Sequence, residues 1–325
     1  MQETKATVVI PNYNGIKYIH DCMDSLRKQS LKAFEILVVD NGSKDGSLEI
    51  LQEEYPEAKV IALEENTGFC HAVNLGIQES KTPYVILLNN DTIADADFVK
   101  ALVEAIEEGE DIFSVSAMML SMQDQEIIDG AGDNYSLLGW AYARGKGCPR
   151  KKYEKKVEVF SACGGAAIYR KKIMEEIGSF DERHFAYLED VDLGYRARIY
   201  GYRNLYEPKA CVIHAGSATS GSRYNEFKTK LASANSGYVI AKNMPILLIL
   251  FNAPFWVPGY LIKCLFFARK KMGKLYAKGF LQGLYRGLWG EGKDQHVPFI
   301  WKHFMNYVKI EVWQFVSLFG YFVKY

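Results

Sequence analysis

Tyr84-Val85-Ile86-Leu87-Leu88-Asn89-Asn90-Asp91-Thr92 places a short apolar run directly before two amides and an acid. A run that brief and continuous fits a strand buried on both faces, and its carboxyl end delivers Asn89, Asn90 and Asp91 to the sheet rim. The same arrangement occurs upstream. Residues 7–10 lead into Pro11-Asn12-Tyr13-Asn14-Gly15, residues 35–39 into Asp40-Asn41-Gly42-Ser43, and 59–63 form a further strand-like run. Helical patterns alternate with these runs. Ile16, Ile19, Met23 and Leu26 share one face, Leu48, Leu51 and Tyr55 another, and a third helix spans about 69–79. The series is βαβαβαβ, which predicts an α/β chain with a doubly wound, mostly parallel, Rossmann-like sheet and ligands at the strands' carboxyl ends.

Further along, 95–108 reads as a helix and 112–120 as a strand. Residues 123–156 turn to Gly, Asp and basic residues, a hairpin or loop excursion, with Lys151-Lys152-Tyr153-Glu154-Lys155-Lys156 as a solvated face. Strand patterns return at 157–160 and 166–170. A helix at 171–177, a loop at 178–189 and a helix at 190–200 stopped by Gly201 follow, and 210–213 is strand-like.

Charge is balanced overall but not along the chain. From Lys242 onward there are 12 Lys and Arg against 3 Asp and Glu, and 20 of the 44 aromatic residues. Basic and aromatic together, among long apolar runs, favour an anionic membrane surface over nucleic acid as the partner. The six cysteines have no CxxC spacing, so neither a zinc nor a dithiol redox motif is read, and a reduced setting is expected. The apolar run after Met1–Lys5 is too short for a signal-peptide core.

Several polar positions have chemical potential. A carboxylate at a strand end, as at Asp40, can accept from a pyrimidine N–H or ribose hydroxyls, although Asp-Asn-Gly-Ser also suits a plain turn and helix cap. Asp91 emerges at the same rim, where Mg2+ or Mn2+ held by oxygen ligands would neutralise a diphosphate. Neither a G-x-x-x-x-G-K-[ST] loop nor a G-x-G-x-x-G after the first strand is present, which counts against triphosphate hydrolysis and hydride transfer. Glu189-Asp190-Val191-Asp192 starts a helix, where acids suit the dipole, yet three in four positions exceed what capping needs. One of them near the rim could serve as general base. His214, at the end of a strand-like run, is either structural or a metal ligand.

TVVIPNYNG (7–15), VVDNGSKDGS (38–47), ENTGFCHAVNLGI (65–77), LLNNDT (87–92), CGGAAIYRK (163–171), GSFDERHFAYLEDVDLGYR (178–196) and HAGSAT (214–219), in this order, resemble the family-2 glycosyltransferases of the GT-A fold. Within them the likeness is to bacterial rhamnosyltransferase-type enzymes of cell-envelope polysaccharide assembly. The resemblance implies an inverting transfer from a UDP- or dTDP-sugar, such as dTDP-rhamnose, to a saccharide or lipid-linked acceptor. It further implies that Pro11, Tyr13 and Asp40 hold base and ribose, and that Asn66, Gly68 and Asn74 lie near phosphates and sugar. Asn89-Asn90-Asp91 would stand for the DxD metal motif, with Asp91 and His214 as ligands of Mg2+ or Mn2+ and Asn in place of the first acid. Asp190 would be the general base, with Glu189 and Asp192 supporting, and Cys163-Gly164-Gly165 would line the acceptor side. A nucleotidyltransferase would want a basic, Gly-rich first loop that this chain lacks. A non-catalytic membrane scaffold would have no need of Asp91, Asp190 and His214.

The expected organisation is a catalytic domain at 1–241, its donor half about 1–120 and its acceptor half about 121–241, followed by a helical region at 242–325 that docks on membrane or makes a homo-oligomer. That places the protein in the cytoplasm, peripheral on the inner face of the cell membrane. Residues 246–267 are long enough to span a bilayer, but Pro254 and Pro258 are expected to break the helix. In the last stretch, Ile300, Phe304, Tyr307, Val308, Val312, Phe315, Val316, Phe319 and Phe322 fall near one helical face.

Overall fold

The computed structural model describes residues 4–216 and 224–322, so positions 217–219 of the His214 segment and the Phe322 side chain lie outside the described residues. Helix and strand alternate as expected through β1 (Ala6–Asn12), α1 (Ile19–Arg27), β2 (Phe34–Asp40), α2 (Ser47–Glu54), β3 (Lys59–Ala62), α3 (Phe69–Glu79) and β4 (Tyr84–Leu88). Then come β5 (Thr92–Ala94), α4 (Phe98–Ile106) and β6 (Ile112–Ser121). The excursion at 123–156 contains β7 (Asp124–Gly130) and a small hairpin of β8 (Asp133–Tyr135) and β9 (Ala141–Ala143). β10 (Val157–Val159), β11 (Ala166–Arg170), α5 (Lys171–Ile177), α6 (Glu189–Tyr200) and β12 (Arg203–His214) complete the sheet-bearing part.

The strand order is β10-β12-β6-β11-β4-β1-β2-β3, with β5 on β12 and β7 on β6. β3, β2, β1 and β4 are mutually parallel. β11 runs antiparallel between β4 and β6, and β12 is parallel to β6. Six strands therefore point the same way, and the ends of β1, β2, β4 and β12 open on one rim, with Asn12, Asp40, Asn89 and His214 on it. Because β11 is reversed, its start at Cys163-Gly164-Gly165 reaches that rim too. β12 is longer than the sequence pattern indicated, and its register with β6 shifts between Glu207 and Cys211, around Pro208, which has no N–H for the ladder.

Four helices follow: α7 (Glu226–Asn243), α8 (Ile246–Ala268), α9 (Gly273–Leu288) and α10 (Phe304–Phe322). One expectation is corrected here. α8 runs unbroken through Pro254 and Pro258. Both prolines are on its exposed side, four residues apart, so the carbonyls they leave unpaired, of Leu250 and Pro254, lie along one open face. α10 leaves most of its apolar stripe exposed. Tyr307, Ile310, Gln314 and Ser317 are buried, while Phe304, Val308, Val312, Phe315, Val316 and Phe319 are exposed. Gln314 is tolerated inside because its amide donates to the Tyr195 hydroxyl at 3.0 Å.

These helices share a core with the sheet-bearing part: Val239, Ile240, Ile249, Phe280 and Ile310 pack with Phe160, Val191 and Tyr195. α7 and α9 meet along small residues. A Cβ at Gly279, Gly283 or Gly287 would collide with Ser233, the Ala234 carbonyl or Ala241, and one at Gly237 with the Phe280 carbonyl. The backbones therefore touch, and no side chain fits between them. On an exposed helix Gly→Ala gains about 1 kcal/mol. Here we expect Gly283→Ala to lower the unfolding free energy by about 1–3 kcal/mol through overpacking, measured by urea denaturation. Unchanged or raised stability would refute the close approach.

Candidate active site

Asn12, Asp40 and Asn90 stand at the ends of three neighbouring strands and join through side chains. The Asn12 amide donates to Asp40 Oδ1 at 2.7 Å and to Ser47 Oγ at 2.9 Å, while its Oδ1 accepts from Asn90 Nδ2 at 2.7 Å. Asp40 Oδ2 accepts from the Ser43 N–H at 3.0 Å. All three residues are buried. Asp40 thus stiffens the rim, with each carboxylate oxygen already engaged. Gly15 crosses directly over this network, and a Cβ there would overlap the Asn12 and Asn90 side chains. Pro11 and Tyr13 flank it half-buried.

The next loop is latched by Asn41, whose Oδ1 accepts from the Thr67 N–H at 2.9 Å and whose amide donates to the Gly68 carbonyl at 3.0 Å. Asn66 Oδ1 accepts from that amide and from the Gly68 N–H. Gly68 has φ +93°, and a Cβ would come within 2.6 Å of the Phe185 ring, so glycine is required twice over. Asn74 is engaged elsewhere than expected. It donates to the Phe180 carbonyl and Glu182 and accepts from Ser179 and the Phe180 N–H, which uses all four of its hydrogen-bonding positions. Its role here is to pin the 179–182 segment.

Asp91 and His214 come together because β5 pairs antiparallel with β12, setting Thr92 opposite His214. His214 Nε2 lies 3.3 Å from Asp91 Oδ1, and its Nδ1 lies 2.8 Å from Asp129 Oδ2. Lys146 Nζ sits 2.6 Å from the other Asp129 oxygen. Burial alone would lower the His214 pKa, but hydrogen bonds to Asp129 and Asp91 outweigh it and raise it to about 9. Burial raises Asp129 in turn, yet His214 and Lys146 bring it down to about 2. One oxygen and one nitrogen donor facing each other, with a carboxylate behind the imidazole, is a donor set that suits a divalent ion.

α6 opens with three acids that meet three different environments. Asp190 accepts from the Gly164 N–H at 3.1 Å and the Val191 N–H at 2.8 Å, and burial raises its pKa. Glu189 is buried with Oε2 unpartnered, and burial and then Asp190 push it well above the usual carboxylate range. Asp192 is fully buried between Arg196, Lys242 and the Asn243 amide, at 3.0, 2.9 and 2.8 Å. Its burial would raise the pKa, but Lys242 and Arg196 hold it far below that range. Asp192 is therefore a structural anchor. Before α6, Phe185, Tyr187 and Leu188 all have positive φ, a strained path for non-glycine residues. The Asn235 amide, from α7, holds this path by donating to the carbonyls of His184, Ala186 and Tyr187 at 2.8–2.9 Å. The Gly164-Gly165 backbone joins the two acid sites, since Gly164 N–H meets Asp190 and the Gly165 carbonyl accepts from the Asn89 N–H at 2.9 Å.

Residues 7–178, just over half of the chain, match the family model described as glycosyl transferase family 2. This chain belongs to glycosyl transferase family 2. An N-acetylglucosaminyl-diphospho-decaprenol L-rhamnosyltransferase of Mycobacterium tuberculosis is 26% identical over 237 residues, 66% of this chain and 77% of that one. A teichoic acid poly(glycerol phosphate) polymerase of Staphylococcus epidermidis is 33% identical over 91 residues, 27% of this chain, and the chain spans only 13% of its length. Among solved structures, S. aureus TarS 1-349 in complex with UDP-GlcNAc superposes with a TM-score of 0.60 at 18% identity, covering 94% of this chain and 90% of that one. The mannosyltransferase PcManGT from Pyrobaculum calidifontis in complex with GDP-Man and Mn2+ gives 0.55 at 15%, covering 89% and 88%. At such identities the likeness is one of fold, the GT-A arrangement.

In this family-2 glycosyltransferase the sequence reading missed Asp129, Asp133, Asn235 and Lys242. The only local signal for the first two was Asp129-Gly130-Ala131-Gly132-Asp133, an acid–glycine alternation inside what read as a hairpin or loop excursion. The charge on His214 leads to a test. Its pKa in the folded chain, about 9, exceeds the ordinary 6.5, so the stabilisation is complete below pH 6.5 and is lost as pH rises through 9. We expect metal-free protein to lose up to about 3 kcal/mol of stability over that window relative to His214→Gln. Chemical denaturation in EDTA at several pH values measures it, and parallel pH profiles would refute the bridged imidazolium.

Proposed function

We propose that this chain is an inverting, metal-dependent hexosyltransferase that moves a sugar from a UDP- or dTDP-sugar, dTDP-rhamnose among them, to a saccharide or lipid-linked hydroxyl in cell-envelope polysaccharide synthesis. The observation that carries this reading is the Gly164-Gly165 backbone, bonded on one side to Asp190 and on the other to the Asn89-Asn90-Asp91 loop. It sets a base and an acid–imidazole pair against one another across a single rim. The decaprenol-linked rhamnosyltransferase relative supports the acceptor class, and the Mn2+ in the mannosyltransferase neighbour supports the ion class.

Asp91 and His214 would hold Mg2+ or Mn2+, which when bound offsets the diphosphate's charge and eases its departure. His214 must give up its proton to serve as a ligand, and Asp129 on its other nitrogen keeps the ring aimed. Pro11 and Tyr13 border the base and ribose, above the Asp40–Asn12–Asn90 lattice that fixes the rim. Asn66 and Gly68 shape the loop beside phosphates and sugar, and Asn74 anchors the loop facing it. Asp190 takes the acceptor's proton as the acceptor oxygen bonds to the anomeric carbon. The bond from that carbon to the diphosphate breaks on the opposite side, its electron pair leaving with the phosphate.

The same reading docks the enzyme on the anionic inner face of the cell membrane. α8 is long and apolar enough to cross a membrane by length and composition. It rests on the protein through buried Ile249, Asn252 and Gly259, leaves Leu247, Leu250, Phe251 and Leu265 exposed, and is followed by Arg269, Lys270, Lys271 and Lys274. Those charges suit phospholipid headgroups beside an embedded face.

Purified protein screened with UDP-, dTDP- and GDP-sugars should turn over one of them with Mn2+ or Mg2+. EDTA or Asp91→Ala should abolish turnover with the fold intact. Asp190→Asn should cost about 10²–10⁴ in transfer rate with donor affinity nearly unchanged. Full activity in EDTA would remove the metal role, and an active Asp190→Asn would move the base elsewhere. Full-length protein should float with vesicles containing anionic phospholipid and come off partly in high salt. A soluble dimer that ignores such vesicles would instead make the exposed face a contact between copies.

A further inference from the structure

Asp133 is nine-tenths buried, yet its carboxylate takes part in no hydrogen bond or ion pair among the described residues. Its position is rigid. β8 pairs with β9, and Asp133 exchanges backbone bonds with Ser161 at 2.9 and 3.3 Å while its carbonyl also accepts from the Phe160 N–H at 3.0 Å. From there one Asp133 oxygen, the Cys163 sulfur and one Asp190 oxygen all lie within 4.8 Å of one another. Oxygens that close can both reach one hydroxyl, or two neighbouring hydroxyls of a sugar ring.

The two acids are not equivalent. Asp190 has two backbone N–H donors, and Asp133 has none, so a negative charge is stabilised on Asp190 and unsupported on Asp133. We propose that Asp133 is a second acceptor-binding residue, present as the neutral acid, whose O–H donates to an acceptor oxygen adjacent to the hydroxyl that Asp190 deprotonates. This rests on the transferase reading and adds the acceptor's chemistry: it presents two neighbouring oxygens, as in a vicinal diol. Burial, and then the Asp190 charge, push the Asp133 carboxyl well above the usual range. The other titratable groups around it do not reverse this. Glu189 is raised well above the usual carboxylate range for the same reasons, the Cys163 and Tyr169 groups are raised by burial, and Lys146 is engaged by Asp129. The positive charge of Lys146 lowers Asp133, but less than burial and Asp190 raise it.

Two measurements test this on the full chain. Infrared difference spectra at pH 7, wild type against Asp133→Asn, should show a protonated-carboxyl band in the wild type that is separate from any band that Glu189→Gln removes. Transfer to a panel of decyl monosaccharide glycosides should show Asp133→Ala raising acceptor KM by about 10–100-fold with the nucleotide-sugar Kd unchanged. Asp133→Asn, which keeps a donor at that position, should bring KM back to within a few fold. Wild-type acceptor KM should climb at alkaline pH as the acid ionises, and stay flat in Asp133→Asn. A wild-type spectrum without that band, or Asp133→Ala with normal KM, would overturn the proposal. Wild type that transfers to no acceptor would overturn the transferase reading and the acceptor role with it, while the infrared band would still decide the state of Asp133.

Discussion

The Lys242 ammonium is sealed between Asp181 and Asp192, at 2.8 and 2.9 Å, and ties three segments together. Asp181 belongs to the loop before α6, Asp192 to α6 itself and Lys242 to the last turn of α7. Arg196 and the Tyr238 hydroxyl add to the network. Charges taken this far from water survive only when each is matched, and removing one partner of such a pair costs about 3–5 kcal/mol. The orientation of α6, and with it the position of Asp190, depends on a cation supplied by the helical region.

That dependence changes what the C-terminal helices are for. α7 holds the strained 184–188 path through Asn235, and α9 holds α7 through backbone contact at Gly279, Gly283 and Gly287. α8 and α10 grip the β8–β9 hairpin, where Trp140 donates to the Gly259 carbonyl at 3.1 Å and Tyr142 to the Ser317 carbonyl at 2.8 Å. The hairpin in turn carries Asp133 to Asp190. One side of the helical unit thus supports the segments that carry Asp133 and Asp190, and its other side is the apolar, basic-edged surface. A shift of α8 against that surface would reach Asp133 through a single hairpin.

The acids of the site illustrate how environment assigns role. Asp40 and Asp192 are consumed by structure, Asp129 aims an imidazole, Asp190 accepts from two amide N–H groups, Asp133 accepts from none, and Glu189 keeps one oxygen without a partner. Identical side chains take different protonation states because the dielectric and donors around each differ, not because of the residue itself.

The sequence by itself determined the βα alternation, the strand ends and the helix start at Glu189, because apolar periodicity and turn residues act over a few positions. It also placed Asp91 and Asp190 on the right elements, and the ordered motifs carried the family. Only the tertiary structure decided which side chains meet. His214 finds Asp129 across 85 positions through β6, β7 and β12, Asp133 reaches Asp190 from a hairpin whose pairing no local pattern set, and Asn74 bonds the 179–182 segment. The same holds for α8 and α10. Periodicity tells that a helix has an apolar face but not what that face meets. Packing against Tyr195 set which face of α10 is buried, and the carbonyls freed by two prolines on an open face let α8 continue where sequence rules would end it.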